Sequence, residues 1–191
     1  MNNLISFIAP VYNFYPIMAD SVLLQTHNNV EVIIVHDGPP DLKMKEIIDS
    51  KLKDPRVKYV ETDRRYNDLG HTPRALGLEH VSTNSDFVVI SGGDNYYVPG
   101  YCEELLKVIT PEHIGAFCNC VHDKFHWITI DVELVCSRID GGCMMTRTEA
   151  AKKIGWFSRE YVADWYYIER LRDTYGEDRF IKIDKTLFIH N

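Results

Sequence analysis

"FVVISGGDNYYVPG", residues 87 to 100, is the stretch whose reading decides the fold. Phe87, Val88, Val89 and Ile90 form a short, β-branched apolar run of the kind that makes a buried strand. Two glycines and a lone carboxylate, Asp94, end it, and Pro99 signals the start of a helix just beyond. A buried strand finished by flexible residues and an acid is what an open parallel sheet offers a ligand, because such sheets bind beyond the carboxyl ends of their strands.

Working outward, "LISFIAPV" (4–11), "VEVIIV" (30–35) and "VKYVE" (57–61) repeat the strand pattern. Helical segments separate them: 16–26 opening on Pro16, 41–53 opening on Asp41, and 72–82, where Thr72 is placed to cap and Pro73 suits the first turn. Strand alternating with helix predicts an α/β fold with a mainly parallel sheet. After a helix at 99–109 the rhythm changes. Residues 114–146 read as shorter strands in a mixed or antiparallel section, broken by "RIDGG". Thr148 is placed to cap a short helix closed by Gly155, "VADWYYIERLRDTYG" reads as an amphipathic helix closed by Gly176, and "RFIKIDKTLFIHN" reads as a strand.

With 191 residues, 45% of them apolar, the chain suits a single domain with a substantial core. Its 21 basic and 28 acidic side chains give a net charge of −7, which disfavours nucleic acid and anionic membrane surfaces as partners. No run approaches the roughly 18 apolar residues of a membrane span, and "MNNLISFIAPVYNF" has no basic leader region, so a strand and no signal peptide is expected there. Five cysteines without a Cys-x-x-Cys pair do not make a disulfide framework and point to the reducing cytoplasm.

The loops after the four strands are "YNFY", "HDGPPD", "TDRRYNDLGHTPR" and "GGDN". They gather Asp37, Asp63, Arg64, Arg65, Arg74 and Asp94 at one end of the expected sheet. Arginines beside carboxylates in an acidic chain suit a phosphorylated ligand held by Arg, with a divalent metal held by Asp. Solvated surface ion pairing is the alternative for each residue taken singly. "CNCVHDKFH" offers a second metal reading, but alternation along a strand sets Cys118, Cys120 and His122 about 7 Å apart, too far to share one zinc without a bend. Buried free thiols fit better.

Four segments in order resemble the GT-A fold, nucleotide-sugar-dependent glycosyltransferases of inverting family 2. "ISFIAPVYN" is similar to that family's opening strand and turn, and "VEVIIVHDGPPD" to its second strand and Asp-Gly-Ser turn. "LGHTPRALGLEHVSTNSDFVVISGGDN" resembles the segment running from an Arg-Asn helix start to the Asp-x-Asp loop, and "RIDGGCMMTRTEAAKKIGWFSREYVADWYYIERL" the acceptor-side segment with its Glu-Asp pair. The resemblance implies a Rossmann-like, mainly parallel mixed sheet flanked by helices, with 1–98 as the nucleotide-sugar half and 99–191 as the acceptor half. The chain would then be one compact GT-A domain, with a small or extended acceptor or as part of a longer protein.

On the same footing, Pro10, Tyr12, Asp37, Asp63, Arg74 and Gly93 would contact the nucleotide sugar, with Asp37 on the base. Asp94 would be the last Asp of Asp-x-Asp, binding Mn2+ or Mg2+, with His190 of "FIHN" as a further metal ligand. Asp164 would be the catalytic base, and Trp127 and Trp165 would line the acceptor pocket. A simple N-cap is the plain alternative for Asp164. Gly92 stands where the first Asp of Asp-x-Asp belongs, Ala163 where the Glu of Glu-Asp belongs, Ala75 for Asn, and Pro39 for the turn Ser. The implied activity is metal-dependent transfer of a sugar, UDP-linked for choice, to a hydroxyl of a glycan or other acceptor. A non-catalytic nucleotide- or glycan-binding domain and a sugar nucleotidyltransferase are the rival readings. The latter lacks support, since "APVYNFYP" supplies no glycine-rich loop.

Overall fold

A computed structural model describes residues 3–13 and 15–191; Phe14 of the "YNFY" loop, and Met1 and Asn2 of the segment expected to carry no leader, lie outside the described residues. The four apolar runs become β1 (Ile5–Val11), β2 (Val30–His36), β3 (Val57–Glu61) and β4 (Phe87–Ile90), which pair in parallel in the order β3-β2-β1-β4. Every residue of β1, β2 and β4 is buried, so both faces of these strands are covered and their sequences show no polar alternation.

Two polar residues inside these strands are satisfied by one network. Ser6 Oγ donates to Glu31 Oε1 at 2.6 Å, Ser82 donates to the same carboxylate through its N–H and hydroxyl, and Lys58 Nζ lies 2.7 Å from Oε2. Burial alone would push Glu31 up, but Lys58 and the two serines outweigh it and hold the carboxyl below its ordinary value.

Helices α1 (Ile17–Leu23), α2 (Leu42–Lys51) and α3 (His71–Glu79) make the connections. Asp41 caps α2 as expected, its Oδ1 accepting from Met44 N at 2.7 Å. Thr72 does not cap α3. Its hydroxyl donates to Asp68 Oδ2 at 2.6 Å, and the same oxygen accepts Thr72 N, while Gly70 enters the helix in the left-handed region at φ 79°. Helix α3 lies close on the sheet because Gly77 has no side chain: a Cβ there would stand 2.4 Å from Ile8 Cγ2 and 3.1 Å from Val35 Cγ2. Gly77→Ala is therefore expected to lower stability by about 1–3 kcal/mol despite alanine's better helix propensity. A reduced urea midpoint at unchanged slope would show it, and an unchanged midpoint would refute the close packing.

Beyond β4 the sheet becomes mixed, as expected for the second half. Its elements are β5 (Tyr96–Tyr97), α4 (Tyr101–Val108), β6 (Gly115–His122), β7 (Ile128–Ile130), β8 (Met144–Arg147), α5 (Thr148–Ile154), α6 (Ala163–Tyr175) and β9 (Phe180–His190). The strand order continues β4-β8-β6-β9-β5, with β8 antiparallel to both neighbours and β7 pairing with the far end of β6. Thr148 again does not cap: its hydroxyl donates to Ser85 Oγ at 3.3 Å, and α5 starts without a side-chain cap. All five cysteines are free, and burial pushes the Cys118 thiol up to about 12, so the buried-thiol reading of "CNCVHDKFH" fits the strand interior. Among the described residues no helix is long and apolar enough to cross a membrane.

Candidate active site

Two adjoining clefts open at the carboxyl ends of β1, β2 and β4. The smaller, of about 280 Å³, is lined by Pro10, Tyr12, Asp37 and Gly93; the larger, of about 370 Å³, by Asp140, Asp164, Trp165 and His190. Arg74, Gly92 and Asp94 line both and form the seam. Pro10, Tyr12, Asp37 and Gly93 thus line one compartment and Asp164 and Trp165 the other, the two meeting at the "GGD" turn, while Asp63 and Trp127 line neither.

That turn is held by backbone bonds. Gly93 N donates to Pro10 O at 3.1 Å, Gly93 O accepts Met18 N, and Asn95 N closes on Gly92 O. The chain's end is tied to the same place, because Asn191 N donates to Asn95 Oδ1 at 3.2 Å, which holds His190 beside Asp94. Burial raises the Asp94 carboxyl above its ordinary value, opposed by His190 and Arg74 and reinforced by Asp140. Gly92 leaves room for this carboxylate: a Cβ on Gly92 would lie 2.7 Å from Asp94 Oδ1.

In the smaller cleft Asp37 is almost wholly buried and already engaged. Its Oδ1 accepts Tyr66 N at 2.8 Å and its Oδ2 accepts Asn67 N at 2.9 Å, so it folds the loop after β3 over the cleft. Any contact with a base would use the remaining lone pairs. Arg65 stacks on the Tyr12 ring, its Cζ 3.4 Å from the centroid, and donates to the Tyr12 hydroxyl. The same loop turns Asp63 outward, where it is exposed and accepts from the Tyr66 hydroxyl at 2.9 Å, outside both clefts.

Arg74 crosses the seam. Its Nε donates to Ser91 O at 3.0 Å and Nη1 to Leu69 O at 2.8 Å, and its Cζ lies 5.5 Å from the Trp156 ring centre. Burial lowers its pKa while Asp140, Asp164 and Asp94 raise it; a guanidinium stays charged throughout.

In the larger cleft, Asp164 sits in the first turn of α6, but Val162 is the N-cap and Asp164 Oδ1 accepts from the adjacent Trp165 N at 2.8 Å. The plain capping alternative does not describe it. Burial, then the neighbouring Asp140, push its carboxyl up to about 6, against Trp165 N–H and Arg74. Gly141 lets the start of α6 approach the end of β4, since a Cβ there would lie 3.1 Å from Ile90 O and 3.6 Å from Asp164 Cβ. Ala163, at the missing Glu position, is buried and lines neither cleft. Trp165 lines the larger cleft. Trp127 does not: it follows His126 in a left-handed turn between β6 and β7, at φ 62°, and is 56% exposed.

Four side chains in or beside this cleft were not singled out as site residues from the sequence. Asp140, the acid of "RIDGG", accepts Gly142 N at 2.7 Å; an acid directly before a Gly-Gly pair was the available signal. His122 stacks on His190, ring centres 3.9 Å apart, and Asp123 Oδ1 lies 3.2 Å from His190 Nδ1. His71 accepts the Trp156 indole N–H on Nδ1 at 3.3 Å, which leaves its proton on Nε2, a buried atom without a hydrogen-bond partner. Asp94, Asp140 and Asp164 all act on the Arg74 guanidinium, and Asp94 and Asp164 are raised by burial. Hard carboxylate oxygens with an imidazole fit a Mn2+ or Mg2+ ion.

The family model for Glycosyl transferase family 2 matches residues 6–132. The chain is 31% identical over 108 residues to the glycosyltransferase GlyA of Streptococcus pneumoniae, covering 55% of this chain and 15% of GlyA. It superposes on S. aureus TarS 1-349 in complex with UDP with a TM-score of 0.71 at 20% identity, covering 97% of this chain and 59% of that one. For the mannosyltransferase PcManGT from Pyrobaculum calidifontis, in complex with GDP-Man and Mn2+, the TM-score is 0.74 at 17% identity, over 97% and 56% of the two chains. The present chain therefore spans a small part of GlyA and little more than half of the two solved chains. The likeness to solved structures shows the shared α/β fold, and the match over the first strands, the "HDGPPD" loop and the "GGDN" turn shows that the chain belongs to Glycosyl transferase family 2.

Proposed function

We propose that this chain is a catalytic domain that transfers a sugar, with inversion, from a nucleotide-diphosphate sugar, UDP-linked for choice, to a hydroxyl of a glycan or other acceptor in a divalent-metal-dependent reaction. The observation that carries the reading is the seam: Asp94 and Arg74 border both clefts, and Asp164 lines only the larger. The nucleotide belongs in the cleft of Tyr12, Asp37 and Arg65, the diphosphate at the seam, and the transferred sugar and acceptor in the cleft of Asp164 and Trp165.

In the transfer, the acceptor oxygen forms a bond to the anomeric carbon as the bond from that carbon to the diphosphate breaks, and the diphosphate leaves with the electron pair. Asp164 takes the acceptor hydroxyl's proton. With its carboxyl at about 6 it is ionised at neutral pH yet more basic than an exposed aspartate, which suits a general base. Arg74 offsets negative charge on the departing diphosphate, and its bonds to Ser91 O and Leu69 O hold it in position beforehand. Asp94, with Asp140 and His190, would hold a divalent ion, which when bound supplies Lewis-acid charge to the phosphate oxygens.

The test is nucleoside diphosphate release from UDP-glucose, UDP-N-acetylglucosamine and GDP-mannose, with and without Mn2+, alongside calorimetry of UDP binding. Mn2+-stimulated release with at least one donor is expected. UDP binding without release or transfer from any donor would instead support the non-catalytic reading, for which the missing acid at position 92 is the motive.

A further inference from the structure

We infer that Asp140 supplies the metal-side carboxylate that Gly92 lacks, and that Asp123 acts behind it as a positioning residue by orienting His190. The inference rests on the metal-dependent reading above and concerns which residues of this chain hold the ion.

The Asp-x-Asp loop here offers one acid, Asp94, because position 92 is glycine. A Cβ at position 92 would meet the tip of Asp94 at 2.7 Å, the movable end of a side chain. Asp140 reaches the same cleft from the other half of the chain. Its Oδ1 is occupied by Gly142 N, which fixes the carboxylate's orientation, and its Oδ2 lies 3.6 Å from His190 Nε2. That is long for a hydrogen bond; bonds of ~2.1 Å at right angles set neighbouring ligand atoms about 3 Å apart, so the pair must close by about 0.6 Å to share one ion. Asp94 feels both His190 and Asp140 electrostatically.

His190 is set up as a ligand by what lies behind it. Asp123 Oδ1 stands 3.2 Å from Nδ1, so the ring proton is held there and the Nε2 lone pair faces Asp140. A carboxylate on the far nitrogen of a ligating histidine fixes its tautomer and raises its basicity. His122, stacked on the same ring, limits its rotation. Among the described residues, His122, Asp123 and His190 at the cleft rim are the trio whose ligand atoms already lie within 4.8 Å of one another, whereas Asp94 must close on the Asp140–His190 pair to share an ion with it, so the rim is a competing location that the experiment must separate.

The experiment is Mn2+ titration followed by electron paramagnetic resonance, with and without saturating UDP, on the whole chain. Asp140→Asn keeps an oxygen for Gly142 N and should weaken Mn2+ binding by roughly tenfold or more, and Asp123→Asn by about 10–100-fold. Gly92→Asp in the Asp140→Asn background should recover part of the lost affinity, because it returns a second carboxylate to the loop beside Asp94, whose tip needs only to shift to make room. Wild-type affinity in Asp140→Asn, or no recovery in a double variant that folds and binds UDP, overturns the inference. So does loss of the ion on His122→Ala with retention on Asp94→Ala, which would put it at the rim. Absence of Mn2+ binding by the wild-type chain with UDP would instead remove the metal-dependent reading itself.

Discussion

Asp164→Asn is expected to reduce sugar transfer by roughly 10²–10⁴-fold while leaving UDP affinity within about twofold. The amide keeps the size of the side chain and an oxygen for the Trp165 N–H, but cannot accept the acceptor's proton. The wild-type rate should fall as pH drops through about 6, where Asp164 becomes protonated, and the residual rate of the variant should not show that fall. The same shift has a stability consequence of definite sign. A carboxyl raised from 3.8 to about 6 by burial and Asp140 favours the folded state fully only below the unfolded value, and that contribution is lost as pH rises through about 6. At pH 7 the buried charge therefore costs stability, and Asp164→Asn should gain up to about 3 kcal/mol, a gain that vanishes near pH 4. Denaturant unfolding at the two pH values checks this directly. A variant that is inactive but no more stable at pH 7 would mean that Asp164 is charge-compensated in the folded protein, and a fully active variant would remove it as the base.

The second large effect is expected at the seam. Asp94→Ala should abolish Mn2+ stimulation and lower donor turnover by about 10³-fold, because several kcal/mol of charge stabilisation on the departing diphosphate go with the ion. Binding of the nucleoside without phosphates should change little, since the smaller cleft keeps Tyr12, Asp37 and Arg65. Steady-state kinetics with and without Mn2+, paired with calorimetry of uridine and UDP, separate the two contributions. Retained Mn2+ stimulation in Asp94→Ala would mean that the ion is held elsewhere, with the rim group of His122, Asp123 and His190 as the first place to look.

Much of the frame was legible because it depends on neighbours in sequence. Apolar runs of strand length, helix-opening proline and aspartate, and closing glycines are local signals, and the strands at 5–11, 30–36, 57–61 and 87–90, the Asp41 cap and the helix ends at Gly155 and Gly176 follow them. The threonines misled for the opposite reason. A hydroxyl at a helix start is a cap only if no better partner lies nearby, and Asp68 and Ser85 claim Thr72 and Thr148. The outward turn of Asp63 likewise follows from a loop folded onto Asp37, which no spacing reveals.

The sequence by itself determined the alternation of strand and helix and the delivery of Asp94 to the end of a buried strand, since both are set by short-range periodicity and turn chemistry. Only the tertiary structure decided what stands opposite that acid. Between the pairs Cys118↔Ile183 and Cys120↔Phe188, β6 advances two residues while β9 advances five, and this irregularity sets the register in which His122 meets His190. The same long-range packing brings Asp140 within reach of His190 and Asp164. Register across a sheet is set by side chains far apart in the chain, and a small slip moves every residue beyond it, so the partners of Asp94 exist only once the sheet has formed.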